Sequence, residues 1–346
     1  MPMPMPMPMP MPMPGESIQR VAVIGTTAWG TTLAVHLARN GRDVRLGARS
    51  EAEVQALEDA REHHGRLPGI AFPERLRVRT VTEAVRDADL VCFVVPSHTL
   101  AQNAQAVANS IPAGAVLLSA TKGIEASTGR RMSELLSAEL PGHPIAVLSG
   151  PNLSREVARD QPSTTVIASN DAPLDALRDA FHARALRVYT SNDVIGVELG
   201  GALKNVVAIA GGMVDHFGFG DNAKAAVLTR GLAEITRLAV AAGADPLTLQ
   251  GLAGVGDLIA SAYSPLARNR RLGELLAAGG TLEATLASLG ETAEGATTIP
   301  AALDLASKLG VELPITEALN SVLYQGIAPL DAVSALMARE PTSEMR

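Results

Sequence analysis

Cysteine and aromatic residues are scarce in this chain of 346 residues, which has one cysteine and only 3% Phe, Trp and Tyr. The single cysteine, Cys92, excludes an internal disulfide and a CxxC metal site, and its apolar neighbours predict a buried packing thiol. Few side chains can stack on bases, and the net charge is −7, so we expect no nucleic-acid partner. The core must be built mainly from Ala, Val, Leu and Ile.

The sequence also lacks an apolar run of about 18 residues, as a membrane span requires. It lacks the charged and then apolar segments of a signal peptide as well. We therefore expect no transmembrane segment and a cytoplasmic location. The chain begins with seven Met-Pro repeats, in which proline at every second position forbids helix. We predict that residues 1–16 form a disordered tail.

Hydrophobic residues make up 47% of the chain, enough for a sizeable core, and the length suits two domains. Over residues 17–193, short β-branched apolar runs alternate with helical periodicity. This pattern predicts an α/β Rossmann-type parallel sheet that binds ligands at the carboxyl ends of its strands. Over residues 194–346 helical periodicity dominates, which predicts a second, all-α domain. The predicted strands are 21–25, 43–49, 76–81, 89–97, 115–123, 144–151, 163–169 and 186–193.

Residues 196–212 combine helical spacing with an unusual glycine content. On a helix, Gly200, Gly201, Lys204 and Asn205 share one face, and each interior glycine costs about 1 kcal/mol relative to alanine. We expect something to approach this face closely. Burial would favour the neutral form of Lys204 and suit it to proton transfer near neutral pH. The alternative is a packing helix whose lysine reaches solvent.

The sequence GTTAWG at residues 25–30 follows a predicted strand and opens a helix, as a dinucleotide-binding turn does. Gly25 would make the tight turn, and Gly30 would let the helix pack on the strand. Thr27 replaces the middle glycine, and its Cβ would crowd a pyrophosphate that normally lies against the backbone. Because the helix N-terminus still favours an anion, we predict a dinucleotide site. The alternative is a Rossmann-like fold that has lost its cofactor.

The end of the second predicted strand bears on the choice of cofactor. Arg49 and Ser50 offer a guanidinium and a hydroxyl to the 2′-phosphate of NADP, whereas Glu51 could bind the ribose of NAD. The cofactor is therefore NADP or NAD, with NADP slightly favoured. A plain surface arginine is the alternative.

Polar side chains follow further predicted strands and open two predicted helices. Lys122 lies in a strand-end loop, and residues 149–152 could hold an anion or an amide after the next strand. Asp257 opens an apolar helix, where it could bind a ligand or only cap the helix. Arg268 and Asn269, followed by two more arginines, could clamp a phosphate or form a solvated basic face. Together they indicate a nicotinamide site facing a domain that supplies an acid–base lysine and an anion clamp.

The chain resembles the bacterial-type NAD(P)-dependent glycerol-3-phosphate dehydrogenases over about residues 21–336. The motifs, in the family's order, are AWGTTLA, HHGRLPG, VVPSHTL, SATKGIE, LSGPN, ELGGALKNVVAIAGG, TRGLAEITRL, GLAGVGDL and ARNRRLG. The resemblance implies a Rossmann domain, a helical domain like the C-terminal part of 6-phosphogluconate dehydrogenase, and a homodimer. It also implies reversible, NAD(P)H-dependent reduction of dihydroxyacetone phosphate to sn-glycerol 3-phosphate for phospholipid synthesis.

The resemblance also implies roles for individual residues. Lys204 would be the proton donor and acceptor, and Lys122 would contact substrate and cofactor. Glu294 would close over the nucleotide. The substrate would be bound by Lys122, Gly150, Asn152, Lys204, Asp257, Ala267, Arg268 and Asn269. The cofactor would be bound by Gly25, Ala28, Trp29, Gly30, Arg49, Lys122, Ser154, Arg268, Thr292 and Glu294.

The chain departs from the family's pattern at ligand-facing positions. Thr27 and Ala28 stand where the family has glycine and serine. Asn152 and Ser154 replace its serine and alanine, and Ala267 replaces its serine. One lost hydroxyl contact costs about 0.5–1.5 kcal/mol, so we expect an active enzyme with weakened binding. The alternatives are a diverged paralogue that reduces another small keto compound and a nucleotide-binding protein that does not catalyse.

Overall fold

The computed structural model describes residues 17–289, 293–341 and 343–344. The predicted tail at residues 1–16 and the predicted cofactor residue Thr292 lie outside these ranges. Within them the chain forms an eight-stranded sheet with helices on both faces, followed by a group of packed helices.

All eight predicted strands form, and seven of them end one to four residues before the predicted residue. Because four neighbouring strands run parallel, their ends and the side chains just after them lie at one edge of the sheet. The strands are β1 Arg20–Ile24, β2 Asp43–Ala48, β3 Leu76–Thr80, β4 Leu90–Phe93, β5 Val116–Ser119, β6 Ile145–Ser149, β7 Ser163–Ser169 and β8 Leu186–Ser191.

The sheet has the order β3-β2-β1-β4-β5-β6-β7-β8. Strands β1 to β6 are parallel, and β7 pairs with β8 in parallel but with β6 in antiparallel register, Ala146 opposite Ser169. The prediction of a wholly parallel sheet is therefore wrong at one junction. The connection from β6 to β7 contains only a five-residue helix, about 7.5 Å long, so the chain turns back along β6 instead of crossing the sheet.

Helices cover both faces of this sheet, and successive residues of a strand enter different cores because side chains alternate. Val23 and Cys92 pack with Leu37 on one face, while Ile24 packs with Leu100 on the other. Burial raises the pKa of the Cys92 thiol, which confirms the predicted packing role. The helices are α1 Ala28–Arg39, α2 Glu51–Ala60, α3 Val81–Val85, α4 Leu100–Val107, α5 Met132–Glu139, α6 Ser154–Ala158 and α7 Leu174–Phe181.

After β8 the described residues contain helices and turns and no further strand. The first helix, α8, is long and is packed against α9, α11, α12 and α14. The helices are α8 Val194–Phe217, α9 Gly220–Ala241, α10 Pro246–Leu249, α11 Asp257–Tyr263, α12 Arg268–Ala277, α13 Leu282–Leu289, α14 Glu294–Leu309, α15 Pro314–Tyr324 and α16 Pro329–Met337.

The glycine-rich stretch lies within α8 and is approached closely, as expected. A Cβ on Gly200 would lie 2.9 Å from the carbonyl oxygen of Ala253, and one on Gly212 would collide with the carbonyl oxygen of Arg270 at the start of α12. The glycines therefore let neighbouring backbone pack directly on the helix.

Helix α8 also corrects the expectation that the chain lacks an apolar run long enough for a membrane span. By length and composition alone it could cross a bilayer, but 83% of its most apolar window is buried inside the protein. Burial of this extent is typical of a core helix.

Candidate active site

A cavity of about 610 Å³ opens where the carboxyl edge of the sheet faces the helices that follow β8. The loops after β1, β4, β5 and β6 form one wall, and α8, α11, α12 and α14 form the other. Eleven of the residues that the resemblance assigns to substrate or cofactor line it, namely Ala28, Trp29, Lys122, Asn152, Ser154, Lys204, Asp257, Ala267, Arg268, Asn269 and Glu294.

Two lysines share one buried carboxylate in this cavity. Lys204 Nζ donates to Asp257 Oδ1 at 2.9 Å and to Ser261 Oγ at 2.5 Å. Lys122 Nζ donates to Asp257 Oδ2 at 2.5 Å and to the Gly150 carbonyl at 3.1 Å. Asp257 is 3% exposed and Lys204 is 7% exposed. The alternative reading of Asp257 as a helix cap is wrong, because its oxygens accept from ammonium groups and a π-helical turn already precedes α11.

The environment of Lys204 tunes its acidity. Burial lowers the pKa of Lys204 to about 8, and the Asp257 carboxylate opposes this by stabilising the charged form. The neighbouring cations Lys122 and Arg268 lower the pKa further. The expectation that burial favours the neutral form is confirmed, so this side chain can donate or accept a proton near neutral pH.

Glycine on α8 makes room for this group. A Cβ on Gly201 would collide with Ser149 Oγ and would lie 3.8 Å from Cδ of Lys122. The end of β6 and the stem of Lys122 therefore lie directly on the helix, one turn before Lys204. The same close approach brings the strand-end loops and the helical part together.

The first turn of α12 carries the second group of polar side chains. Arg268 and Asn269 are its first residues, and Ala267 precedes them with no side-chain cap. Asn269 Oδ1 accepts from the backbone N–H of Gly295 at 3.0 Å. Because an N–H can face only the amide oxygen, Nδ2 of Asn269 remains as the donor for a ligand.

Arg270 does not join this clamp, which corrects the interpretation of the segment as one basic cluster. Its guanidinium pairs with Asp215 at 2.6 Å and with Glu274 at 2.8 Å, and it does not line the cavity. Arg271 does line it, together with Arg66 and Arg155.

The sequence analysis did not single out Arg66 and Arg155 as site residues, whereas Arg271 belonged to the predicted basic cluster. Arg66 stands in the motif HHGRLPG and Arg155 follows SGPNLS, so their positions beside family motifs were the available signal. Among the lining residues that the structure describes, four arginines and two lysines face two carboxylates. Such a cavity favours anionic ligands.

The turn after β1 has the shape expected of a dinucleotide site. Gly25 adopts φ +114°, and a Cβ there would lie 2.5 Å from the Val94 carbonyl oxygen. A Cβ on Gly30 would collide with the carbonyl of Gly25, so both glycines have the predicted structural roles, although neither lines the cavity. Trp29 lines it, and its buried Nε1 has no hydrogen-bond acceptor among the described residues. The turn thus leaves a donor for a ligand.

Thr27 makes two hydrogen bonds that the sequence did not indicate. Its hydroxyl accepts from Gly30 N–H at 3.0 Å and donates to the Val94 carbonyl at 2.9 Å. The threonine therefore caps α1 and ties the turn to the end of β4, instead of acting only as an obstacle to a pyrophosphate.

The end of β2 lies outside the cavity lining. The Arg49 side chain is 85% exposed, and Ser50 caps α2 by accepting from Glu53 N–H. Glu53, which the sequence analysis missed, accepts from the Thr26 hydroxyl at 2.6 Å and from Arg49 N–H at 3.0 Å. A carboxylate therefore stands between the glycine turn and the end of β2, beside the exposed guanidinium.

The loop after β6 is fastened to the neighbouring strand. Asn152 Nδ2 donates to the Thr164 carbonyl, and Asn152 Oδ1 accepts from the Thr165 hydroxyl, both at 3.0 Å. Although Asn152 lines the cavity, both ends of its amide therefore bond to β7. Ser154 also lines the cavity and begins α6, and its carbonyl accepts from the Thr32 hydroxyl on α1.

A Rossmann sheet with a glycine turn, a cationic cavity at the point where strand order reverses, and a buried lysine of lowered pKa define a class. They are the parts of a nicotinamide-dinucleotide oxidoreductase that acts on an anionic substrate.

Two family models identify the family within this class. The N-terminal model of NAD-dependent glycerol-3-phosphate dehydrogenase matches residues 20–175, and the C-terminal model matches residues 193–334. The chain belongs to the NAD-dependent glycerol-3-phosphate dehydrogenase family.

Relatives from several bacteria agree with this assignment. The chain is 47% identical to a glycerol-3-phosphate dehydrogenase (NAD(P)+) of Thermobifida fusca over 331 residues, covering 94% of this chain and 98% of the relative. It is 43% identical to the enzyme of that name from Desulfitobacterium hafniense, covering 94% and 93%. A crystal structure of glycerol-3-phosphate dehydrogenase from Coxiella burnetii superposes with a TM-score of 0.89 at 34% identity, covering 94% of this chain and 100% of that one.

Proposed function

We propose that this protein reduces dihydroxyacetone phosphate to sn-glycerol 3-phosphate with NADPH or NADH, reversibly, and so supplies glycerophospholipid synthesis. The observation that carries the proposal is the placement of a buried acid–base lysine and an Arg–Asn pair on the walls of one cationic cavity. The first group suits a keto oxygen that becomes an alkoxide, and the second suits a phosphate.

The chemistry of the step divides between cofactor and protein. When bound, the nicotinamide supplies the hydride that adds to the keto carbon. Lys204 in its ammonium form stabilises the charge that develops on the oxygen and then donates a proton to it. Asp257 orients Lys204 and Lys122 by accepting from both, and Lys122 adds a second positive charge beside the reacting oxygen.

We assign phosphate recognition to Arg268 and Asn269. A guanidinium and an amide N–H can hold two phosphate oxygens at once, which fixes the substrate relative to Lys204. Gly150 supports the same site through its carbonyl, which accepts from Lys122. Asn152 and Ala267 complete the substrate wall.

Cofactor binding belongs to the turn after β1 and to residues around it. The support is the orphaned Nε1 of Trp29 and the exposed guanidinium at the end of β2, which keeps NADP slightly favoured. The residues that we assign to the cofactor are Gly25, Ala28, Trp29, Gly30, Arg49, Lys122, Ser154, Arg268, Thr292 and Glu294.

Three further assignments accompany the activity. We assign residues 17–193 to the dinucleotide domain and 194–346 to the helical domain, supported by the change from strands to helices after Ser191.

A homodimer is supported by exposed apolar side chains on the last helices, such as Leu330 and Met337, and light scattering tests it. A cytoplasmic location suits a reaction that consumes NAD(P)H, and cell fractionation tests it.

The first experiment compares the wild type with Lys204→Ala. We expect the wild type to oxidise NADPH when dihydroxyacetone phosphate is added, and we expect Lys204→Ala to abolish turnover while leaving the Kd for NADPH nearly unchanged. The control is Lys308→Ala, which removes an exposed lysine on α14. Loss of NADPH binding in Lys204→Ala would contradict the assigned role. A folded wild type inactive with both cofactors would overturn the proposed activity.

A further inference from the structure

A serine in the sheet domain donates two hydrogen bonds to a carboxylate of the helical part. Ser97 begins a short turn after β4 and is 7% exposed. Its hydroxyl donates to Glu294 Oε2 at 2.5 Å, and its backbone N–H donates to Glu294 Oε1 at 3.2 Å. Glu294 is the first residue of α14, so this contact fixes where α14 begins.

The start of α14 in turn sets the orientation of Asn269. The N–H of Gly295 donates to Asn269 Oδ1 at 3.0 Å. A Cβ on Gly295 would lie 2.7 Å from the Asn205 carbonyl oxygen and 2.8 Å from Asn269 Oδ1. This turn is therefore pressed between α8 and α12, and a small movement of α14 would break the bond that orients the amide.

The same serine lies against the loop that carries Lys122. A Cβ on Gly123 would lie 2.6 Å from Ser97 Cβ and 3.6 Å from Glu294 Oε2. The contact between Ser97 and Glu294 thus joins the strand-end loops to α14 at one point on the wall of the cavity. It also keeps the Glu294 carboxylate, one of two acidic groups on the described wall, bonded to donors of the protein.

We propose that Ser97 is a positioning residue for phosphate recognition. By binding Glu294, Ser97 fixes the first turn of α14. The Gly295 N–H of that turn donates to Oδ1 of Asn269, which leaves Nδ2 to donate to the phosphate. This inference rests on the proposed function, because it concerns the phosphate of the same substrate.

The test is Ser97→Ala, assayed with dihydroxyacetone phosphate and with dihydroxyacetone at saturating NADPH. We expect the KM for dihydroxyacetone phosphate to rise about tenfold, the size of one lost charge-assisted hydrogen bond. We expect kcat, and kcat/KM for dihydroxyacetone, to stay within about twofold of the wild type at saturating NADPH, since only uniform binding of the phosphate is lost. A merely structural role would lower kcat/KM for both substrates alike.

The matched control is Thr99→Val, in the same turn. The Thr99 hydroxyl donates to the Pro96 carbonyl at 2.9 Å, so its removal should leave the KM for dihydroxyacetone phosphate unchanged. From the other side of the contact, Glu294→Ala should raise the same KM, and adding Ser97→Ala to it should raise that KM no further. Additive losses, or an unchanged KM in Ser97→Ala, would overturn the inference.

Binding of inorganic phosphate, followed by calorimetry, separates this inference from the proposed function. If the wild type reduces neither keto compound, the proposed function fails, and calorimetry still decides the role of Ser97. A Kd for phosphate that is weaker in Ser97→Ala by about tenfold supports the role. Equal affinity, or a wild type that binds no phosphate, overturns it. Ser97→Ala is compared only after its thermal unfolding matches the wild type, and Glu294→Ala replaces it otherwise.

Discussion

At the scale of single residues, the proposed role of Lys204 predicts how the activity depends on pH. Its pKa is lowered to about 8 by burial, so the ammonium predominates below that pH and the neutral amine above it. In the proposed mechanism, reduction needs the ammonium of Lys204 as proton donor, whereas oxidation needs its amine as acceptor. We expect kcat/KM for reduction to fall as pH rises through about 8, and kcat/KM for oxidation to rise.

Initial rates in both directions, measured across the pH range at low substrate, check this expectation. The measured kcat/KM reports the pKa of the free enzyme, which is the form that the structure describes. Profiles that change in the same direction for both reactions would assign the proton to another group.

The sequence predicted the chemistry of these residues better than it predicted which residues they contact. A lysine on a glycine-lined helical face indicated either a buried acid–base group or a packing helix whose lysine reaches solvent, and the structure buries it. That Asp257 would face Lys204 and Lys122, rather than cap α11, depends on contacts between segments 53 and 135 residues apart. No local pattern encodes such contacts. The sequence likewise did not indicate that the amide of Asn152 would form hydrogen bonds with β7.

At the scale of elements, a largely buried ion cluster links α12 to α8 and α9. Lys224 on α9 is 6% exposed and donates to both oxygens of Asp215 at 2.8 Å, and Arg270 on α12 pairs with the same carboxylate. We expect Asp215→Ala to lower the free energy of unfolding by about 3 kcal/mol, because it strands two largely buried cations.

Urea unfolding of Asp215→Ala measures this loss. The control is Asp304→Ala, which removes one partner of an exposed pair with Lys308 and should cost less than about 1 kcal/mol. Equal losses in the two variants would mean that the Asp215 cluster contributes no more than a surface pair.

The elements themselves were largely predictable. Apolar runs of β-branched residues predicted eight strands, and small residues at helical spacing predicted α8. The direction of β7 was not predictable, because it depends on how far the short α6 carries the chain after β6. The sequence analysis also missed that the residues of α8 make an apolar run long enough for a membrane span.

At the scale of the whole molecule, a chain with a net charge of −7 encloses a cationic cavity. Net charge alone gives no indication of this, because Arg66, Arg155 and Arg271 come from three separate segments and meet only in the fold. We expect the KM for dihydroxyacetone phosphate to rise steadily with ionic strength, since salt screens the attraction between the cavity and a phosphate.

Steady-state assays from low to physiological salt check this prediction, with dihydroxyacetone as the uncharged control. The KM for dihydroxyacetone should change little over the same range. A KM for the phosphorylated substrate that is independent of salt would mean that close hydrogen bonds, not the field of the cavity, dominate its binding.

The carboxylate shared by Lys122 and Lys204 also bears on how this protein can change over evolutionary time. One ammonium belongs to a loop of the sheet, whereas the other ammonium and the carboxylate itself belong to helices of the second half, so the complete cluster needs both halves. Recombination that exchanged one half for that of a distant relative would have to preserve the close approach of the Lys122 loop to Asp257. We therefore expect a substitution at this junction to be accepted only when it suits both halves.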